Sequence, residues 1–258
     1  MRVVIVGASS GLGRCIGVGL AQRGAEVALL ARRHDMLVDA AKEAGPGALA
    51  IACDVTDQAS CQSAIAEAAD GLGGIDALVY STGVGILNRL TDIDADTWRW
   101  AFDTNVIGAS LITAAALPHL KASSGAAAYL SSISASQTPP WPGLGAYAVT
   151  KAALDKLVEA WRAEHPQVGF TRVVVGDCAG GEGASMTGFA NNWDPEIAAE
   201  FYPTWISRNY ITGTLLEVDE LVRAIDYIAR SGAGTSIPSM TVTPRPPVPA
   251  APVPAATP

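Results

Sequence analysis

Val3-Val4-Ile5-Val6-Gly7-Ala8-Ser9-Ser10-Gly11-Leu12-Gly13, at the start of the chain, decides the fold. Its first four residues form an apolar run of strand length. A GxxxGxG spacing follows at once, and an apolar helical pattern opens at Leu12. A glycine loop between a strand and a helix is a device for holding phosphate. Gly7 turns the chain sharply, Gly11 lets backbone amides approach an anion without a Cβ in the way, and Gly13 lets the helix sit close to the sheet. The amino-terminal end of the helix then faces the anion. A bare glycine triplet would carry little weight among 26 glycines. The strand before it and the helix after it give it meaning.

Outward from this stretch, apolar runs alternate with longer helical patterns, the order of βαβ units. Strands are predicted at Val3–Val6, Glu26–Leu30, Ala48–Ala52, Ala77–Val79, Ala127–Leu130, Arg172–Val175 and Met240–Val242. Helices are predicted at about Leu12–Arg23, Met36–Ala44, Gln58–Ala69, Asp96–Leu117, Ala148–Glu164 and Val218–Arg230. Right-handed crossovers make this an α/β, Rossmann-type, doubly wound parallel sheet of about seven strands in the order 3-2-1-4-5-6-7, with helices on both faces. One domain over residues 1–243 suffices for 258 residues that are 49% apolar. Residues 244–258 hold seven of the 16 prolines and read as an extended, mobile tail.

Charge narrows the function classes. The net charge of −8 comes from 17 basic and 25 acidic residues, with no Lys/Arg cluster to track a phosphate backbone, so no nucleic-acid partner is expected. Mean hydropathy is +0.26, yet no uninterrupted apolar run is long enough to span a bilayer, and no membrane association is expected. Met1 leads almost directly into the first strand without a basic leader, which predicts a cytoplasmic protein. Cys15, Cys53, Cys61 and Cys178 show neither CxxC pairing nor metal-ligand spacing, so neither a disulfide framework nor a metal site is expected.

The second strand ends at Leu30-Ala31-Arg32-Arg33, with no carboxylate to hold the ribose hydroxyls of NAD. A guanidinium there can pair with a 2′-phosphate, which favours NADP over NAD. Arg32 and Arg33 also read as solvated charges that begin a helix. Asp54, after the third strand, is placed to accept from an adenine amino group.

Tyr147-Ala148-Val149-Thr150-Lys151 begins a helix, and its i, i+4 spacing sets phenol and ammonium on one face. A phenol titrates near 10, so acid–base work around neutrality requires lowering its pKa by about 3 units, roughly 4 kcal/mol. A neighbouring lysine cation supplies much of that.

These motifs together resemble the short-chain dehydrogenase/reductase family, in its shorter single-domain branch, over about residues 1–243. The resemblance implies an NAD(P)-dependent oxidoreductase. A cofactor would lie on Gly7, Ser9, Ser10, Gly11, Leu12, Gly13, Arg32, Arg33, Asp54, Val55 and Gly83, with Tyr147 and Lys151 at its nicotinamide end. Hydride would pass between nicotinamide C4 and a carbonyl or alcohol carbon while Tyr147 gives or takes the proton. Lys151 would hold the nicotinamide ribose, Ser132 the substrate oxygen, and Asn105 a water relaying protons from the lysine.

The chain also departs from the family pattern. Val6 stands where Thr is usual. Tyr80-Ser81-Thr82-Gly83 keeps only the glycine of the usual Asn-Asn-Ala-Gly, and Gly176-Asp177-Cys178 replaces a Pro-Gly pair. Ser132 lies 15 residues before Tyr147, farther than is usual, while Ser134 lies 13 before it and remains the alternative serine. Thr138-Pro139-Pro140-Trp141-Pro142-Gly143 is a stiff aromatic insert at the substrate entrance.

Phe189, Trp193, Phe201, Tyr202, Trp205 and Tyr210 lie on Gly180–Thr214, the segment that covers the substrate in this fold. They point either to a bulky, apolar carbonyl or alcohol substrate or to packing between subunits. Helices 96–117 and 147–164 resemble the family's oligomer surfaces and imply a homodimer or homotetramer. The altered loops after the fourth and sixth strands keep a second reading open, a catalytically silent dinucleotide-binding sensor or scaffold.

Overall fold

The computed structural model describes residues 1–211 and 213–245. Most of the tail read over 244–258 lies outside the described residues.

The elements run β1 (Arg2–Val6), α1 (Gly11–Gln22), β2 (Glu26–Ala31), α2 (His34–Ala44), β3 (Leu49–Ala52), α3 (Gln58–Leu72) and β4 (Ala77–Tyr80) through the first half. Then follow α4 (Ala95–Phe102), a π-helical turn at Asp103–Ile107, α5 (Gly108–Ser123), β5 (Ala126–Ser132) and the single turn α6 (Ile133–Ser136). The chain continues through α7 (Gly145–Glu164), β6 (Gly169–Val175), α8 (Pro195–Ser207), α9 (Val218–Ala229) and β7 (Ser239–Val242). Among the described residues the seven strands form one parallel sheet in the order 3-2-1-4-5-6-7, as expected.

Two cores sandwich the sheet because successive strand residues point to opposite faces. Val4, Val6, Leu78, Tyr80, Ala127 and Tyr129 join α3, α5 and α7 on one side. Val3, Ile5, Val27, Leu29, Val79 and Val173 join α1, α2 and α9 on the other. Burial on both faces explains why the strands lack a polar alternation.

One helical prediction is revised and one further helix is found. The segment read as one helix over Asp96–Leu117 is interrupted by the π turn, which buries Thr104 and Asn105. A π insertion rotates the register locally and turns a side chain out of the regular ladder. Helix α8 was not predicted, although Asp194 caps it and Pro195 stands in its first turn, both start signals.

By length and composition Ala95–Ser123 could cross a bilayer. In the fold its inner face, with Ala109, Ile112, Ala116 and Leu120, is buried in the core, while Trp100 and Ile107 remain exposed.

Candidate active site

The site gathers at the carboxyl ends of the central strands, where loops leaving β1, β4, β5 and β6 meet. The glycine loop behaves as its spacing predicts. Gly7 has φ +89°, and a Cβ there would stand 2.6 Å from Thr82 Oγ1. A Cβ on Gly13 would stand 2.3 Å from the Gly7 carbonyl and 2.4 Å from Ser81 Oγ. Ser81 in turn donates to the Val6 carbonyl at 2.6 Å, tying the end of β4 to the end of β1. No side chain caps α1, which starts after Ser10, so its first amides are not claimed by an N-cap. This is a cradle suited to a pyrophosphate. Met186 and Thr187 lie across it: a Cβ on Gly11 would be 3.3 Å from Thr187 Cα.

The two arginines divide their work. Arg33 donates to Ser9 Oγ at 2.9 Å and to Ser10 Oγ at 2.6 Å, bringing its guanidinium over the loop. Arg32 is exposed and lies toward Asp54. Asp54 accepts from the Thr56 amide at 3.0 Å and its hydroxyl at 2.8 Å, and these bonds hold its carboxyl below the usual carboxylate range. Val55 is buried beside Gly108. Leu12, half-buried, packs against the α1 face of the core.

Asn105 is fully buried on the π turn. Its Nδ2 donates to the Val84 carbonyl at 3.0 Å and to Thr150 Oγ1 at 2.9 Å, while Oδ1 accepts from the Val84 amide at 2.8 Å. It therefore binds the loop after β4 to α7. A Cβ on Gly83 would be 3.1 Å from Lys151 Nζ and 3.5 Å from Asn105 Oδ1, so the three predicted positions converge. Thr150, which completes the asparagine's bonding, was not singled out from sequence.

Ser132 ends β5 and caps α6, and its Oγ lies 3.0 Å from Ser134 Oγ. Ser132 is half-buried and Ser134 is buried. Tyr147 is half-buried, with Phe189 edge-on at 4.8 Å between ring centroids. Lys151 Nζ lies 5.8 Å from the Tyr147 ring centroid and donates to the Leu130 carbonyl at 2.7 Å.

One electrostatic expectation is corrected. The lysine was expected to lower the phenol's pKa, but burial pushes Tyr147 up to about 12, opposed only by the Ser132 hydroxyl. Burial also pulls Lys151 down to about 8, opposed by Asp155. Both shifts have one cause: a low-dielectric site disfavours whichever form carries charge. The lysine's attention is on the Leu130 carbonyl rather than on the phenol oxygen.

The segment after β6 supplies an aromatic wall. Leu87, Trp141, Leu144 and Trp205 form a separate core with Phe189, Trp193, Phe201 and Tyr210 against them. Trp141 of the proline-rich insert stacks on Tyr210 at 5.3 Å, and Trp193 Nε1 donates to the Gly85 carbonyl at 3.1 Å. Tyr202 touches Trp205 but is largely exposed. Asp177 and Cys178 occupy the loop that departs from the usual Pro-Gly pattern, and burial raises both their pKa values.

The chain matches the family model described as short chain dehydrogenase over residues 1–194. It is 31% identical over 167 residues to an uncharacterized oxidoreductase of Staphylococcus epidermidis, covering 64% of this chain and 72% of that protein. It is 33% identical over 180 residues to 11-beta-hydroxysteroid dehydrogenase A of Sesamum indicum, covering 67% of this chain and 51% of that longer protein. In structure it is similar to a short-chain type dehydrogenase/reductase from Mycobacterium marinum, with TM-score 0.79, 25% identity and coverage of 94% and 93% of the two chains. It also shares the fold of an alcohol dehydrogenase from the archaeon Thermococcus sibiricus complexed with 5-hydroxy-NADP, with TM-score 0.77, 24% identity and coverage of 95% and 98%. With the glycine cradle, the buried Asn105 and the Tyr147–Lys151 pair all at the carboxyl edge of this sheet, the chain belongs to the short-chain dehydrogenase/reductase family and is an NAD(P)-dependent oxidoreductase.

Proposed function

We propose that the protein reduces or oxidises a bulky, apolar carbonyl or alcohol with NADP, using Asn105, Ser132, Tyr147 and Lys151. The observation that carries this reading is the convergence of Tyr147 and Lys151 beside Gly83 and Asn105. When bound, the nicotinamide supplies or accepts the hydride. Gly7, Ser9, Ser10, Gly11, Leu12 and Gly13 would hold the pyrophosphate, Asp54 and Val55 the adenine, and Lys151 the nicotinamide ribose. Tyr147 carries the proton to or from the substrate oxygen, and the Ser132 hydroxyl donates to that oxygen as charge grows on it. Asn105 fixes the π turn and the loop after β4, which keeps Lys151 and Gly83 together.

Arg33 supports the choice of NADP. Its donors already meet two hydroxyls of the loop, and a 2′-phosphate would offer them stronger, charged acceptors. Arg32 would add a second cation. Arg33→Ala is expected to weaken NADPH about tenfold or more while leaving NADH nearly unchanged, since a hydrogen bond to a charged group contributes about 1.5–3 kcal/mol. Steady-state KM values for the two cofactors, taken on a panel running from small polar to large apolar carbonyls and alcohols, test both halves of the proposal. Equal losses for both cofactors would remove Arg33 from this role. Preference for small polar substrates would remove the aromatic wall, chiefly Phe189 and Trp193, from substrate binding. Binding of dinucleotide without turnover anywhere on the panel would favour the sensor reading.

The protein also self-associates in this proposal. Trp100 on α4, Ile107 on the π turn and Val149 on α7 are 42%, 47% and 47% exposed, apolar area that the fold leaves uncovered. Light scattering is expected to report a dimer or tetramer, and a monomer at working concentration would refute it. A place in the cytoplasm fits this reading.

A further inference from the structure

Behind Lys151, on the side away from Tyr147, lies a carboxylate that the proposed chemistry leaves unused. Asp155 follows Lys151 by one helical turn on α7 and is 5% exposed. The buried Ser131 Oγ beside it bears on the carboxylate, but neither group makes a hydrogen bond of regular geometry among the described residues, and burial raises the carboxyl's pKa. A buried carboxylate without such bonds carries a desolvation cost of several kcal/mol unless cations compensate it. Two cations face it. Arg172 reaches in from β6 with Nη1 3.6 Å from Asp155 Oδ2, and Lys151 stands one turn away on the same face of α7 without a direct ion pair to it. Arg172 also lies 3.8 Å from Glu159 Oε1, and Glu159 is paired in addition with Lys156.

We propose that Asp155 is a positioning residue for the hydride-transfer reaction: its carboxylate holds Lys151 in the ammonium form within the buried site. The inference rests on the reading of Lys151 given above. The charged and titratable groups around the pair are Tyr147 and Glu159 on α7 and Arg172 on β6, while β5 presents the neutral Ser131 and the Leu130 carbonyl, and the π turn the neutral Asn105. Among them Asp155 is the anion that bears on Lys151. Leu130 O accepts one ammonium proton but adds no charge. Without the carboxylate, burial alone would act on the lysine and favour its neutral form. A neutral amine holds a ribose hydroxyl less well.

The chain contains four lysines, Lys42, Lys121, Lys151 and Lys156, so 13Cε-lysine NMR on the full-length protein resolves Lys151 by its loss in Lys151→Met. In Asp155→Asn the midpoint of that resonance is expected to fall by about one pH unit, a tenfold loss of proton affinity. With NADPH and a substrate found on the panel, the alkaline limb of kcat is expected to move the same way, and Asp155→Glu to restore it in part. If Asp155→Asn does not fold, Asp155→Ser removes the same charge and serves the same titration. An unmoved Lys151 midpoint in a folded charge-deleted variant overturns the proposal, as does a uniform drop of kcat at every pH. Absence of turnover in the wild type would instead strike the proposed function, and the NMR midpoint would still decide the electrostatic role of Asp155.

Discussion

Tyr147→Phe is expected to lower kcat about 10²- to 10⁴-fold, the span of a positioned general acid or base, while the affinity for NADPH changes little. The substitution removes one oxygen. The ring that remains keeps its edge contact with Phe189 at 4.8 Å and its place on α7. The Ser132 hydroxyl loses a neighbour but retains Ser134 Oγ at 3.0 Å, so no newly orphaned group destabilises the fold. Burial gives the prediction a direction as well. A phenol held up at about 12 carries its proton throughout the neutral range and is ready to give it to an oxygen that gains charge, so carbonyl reduction has its acid in place. Alcohol oxidation requires the phenolate and is expected to rise with pH. Stopped-flow single-turnover rates in both directions, with thermal melting as a check on folding, make the measurement. A Phe variant that turns over at the wild-type rate would take Tyr147 out of the chemistry, and with it the proposed function.

The strands, the sheet order and the glycine loop were legible because each obeys a local rule. Val3–Val6 is an apolar run of strand length, Gly7 and Gly13 stand where no Cβ fits, and right-handed crossovers leave few topologies. The candidate site was legible as a set of positions, since Asn105, Ser132, Tyr147 and Lys151 each follow a motif. Their interactions were not. The π turn depends on Asn105 bonding to Val84 and Thr150, 21 and 45 residues away, and nothing in Asp103–Ile107 marks it locally. The division between Arg32 and Arg33 depends on which side chain reaches Ser9 and Ser10. The upward shift of the phenol follows from burial, which a spacing of i, i+4 does not encode. The aromatic segment was read as cover for substrate or as subunit contact. In the fold it packs chiefly on itself and on Trp141, with Phe189 alone of these rings brought against Tyr147.

The buried lysine is expected to make the cofactor-free protein more stable as the pH rises from about 8 to its ordinary 10.5. Below that window both native and unfolded chains hold the Lys151 proton, and burial of the charge costs stability. Within it the unfolded chain still binds the proton that the native chain has released, so the free energy of unfolding climbs with pH. Above it neither holds the proton and the contribution is complete. A fall from 10.5 to about 8 corresponds to about 3 kcal/mol. Lys151 is 4% exposed, so solvent screening takes little from that figure. Tyr147 acts in the opposite sense, because its native value lies above the unfolded one, but only as the pH passes its ordinary 10 toward about 12. The buried thiols Cys15 and Cys178, raised from 9.0, oppose the trend from that point upward. Urea denaturation of the wild type and of Lys151→Met at matched pH values removes these shared contributions, since they occur in both proteins. The variant leaves the Leu130 carbonyl without its donor, a fixed cost that shifts its curve without tilting it. The difference between the two proteins is therefore expected to grow in favour of the wild type between about pH 8 and 10. Parallel curves would show that Lys151 keeps its proton in the folded chain across that range, and that the carbonyl and Asp155 together outweigh the cost of burying its charge.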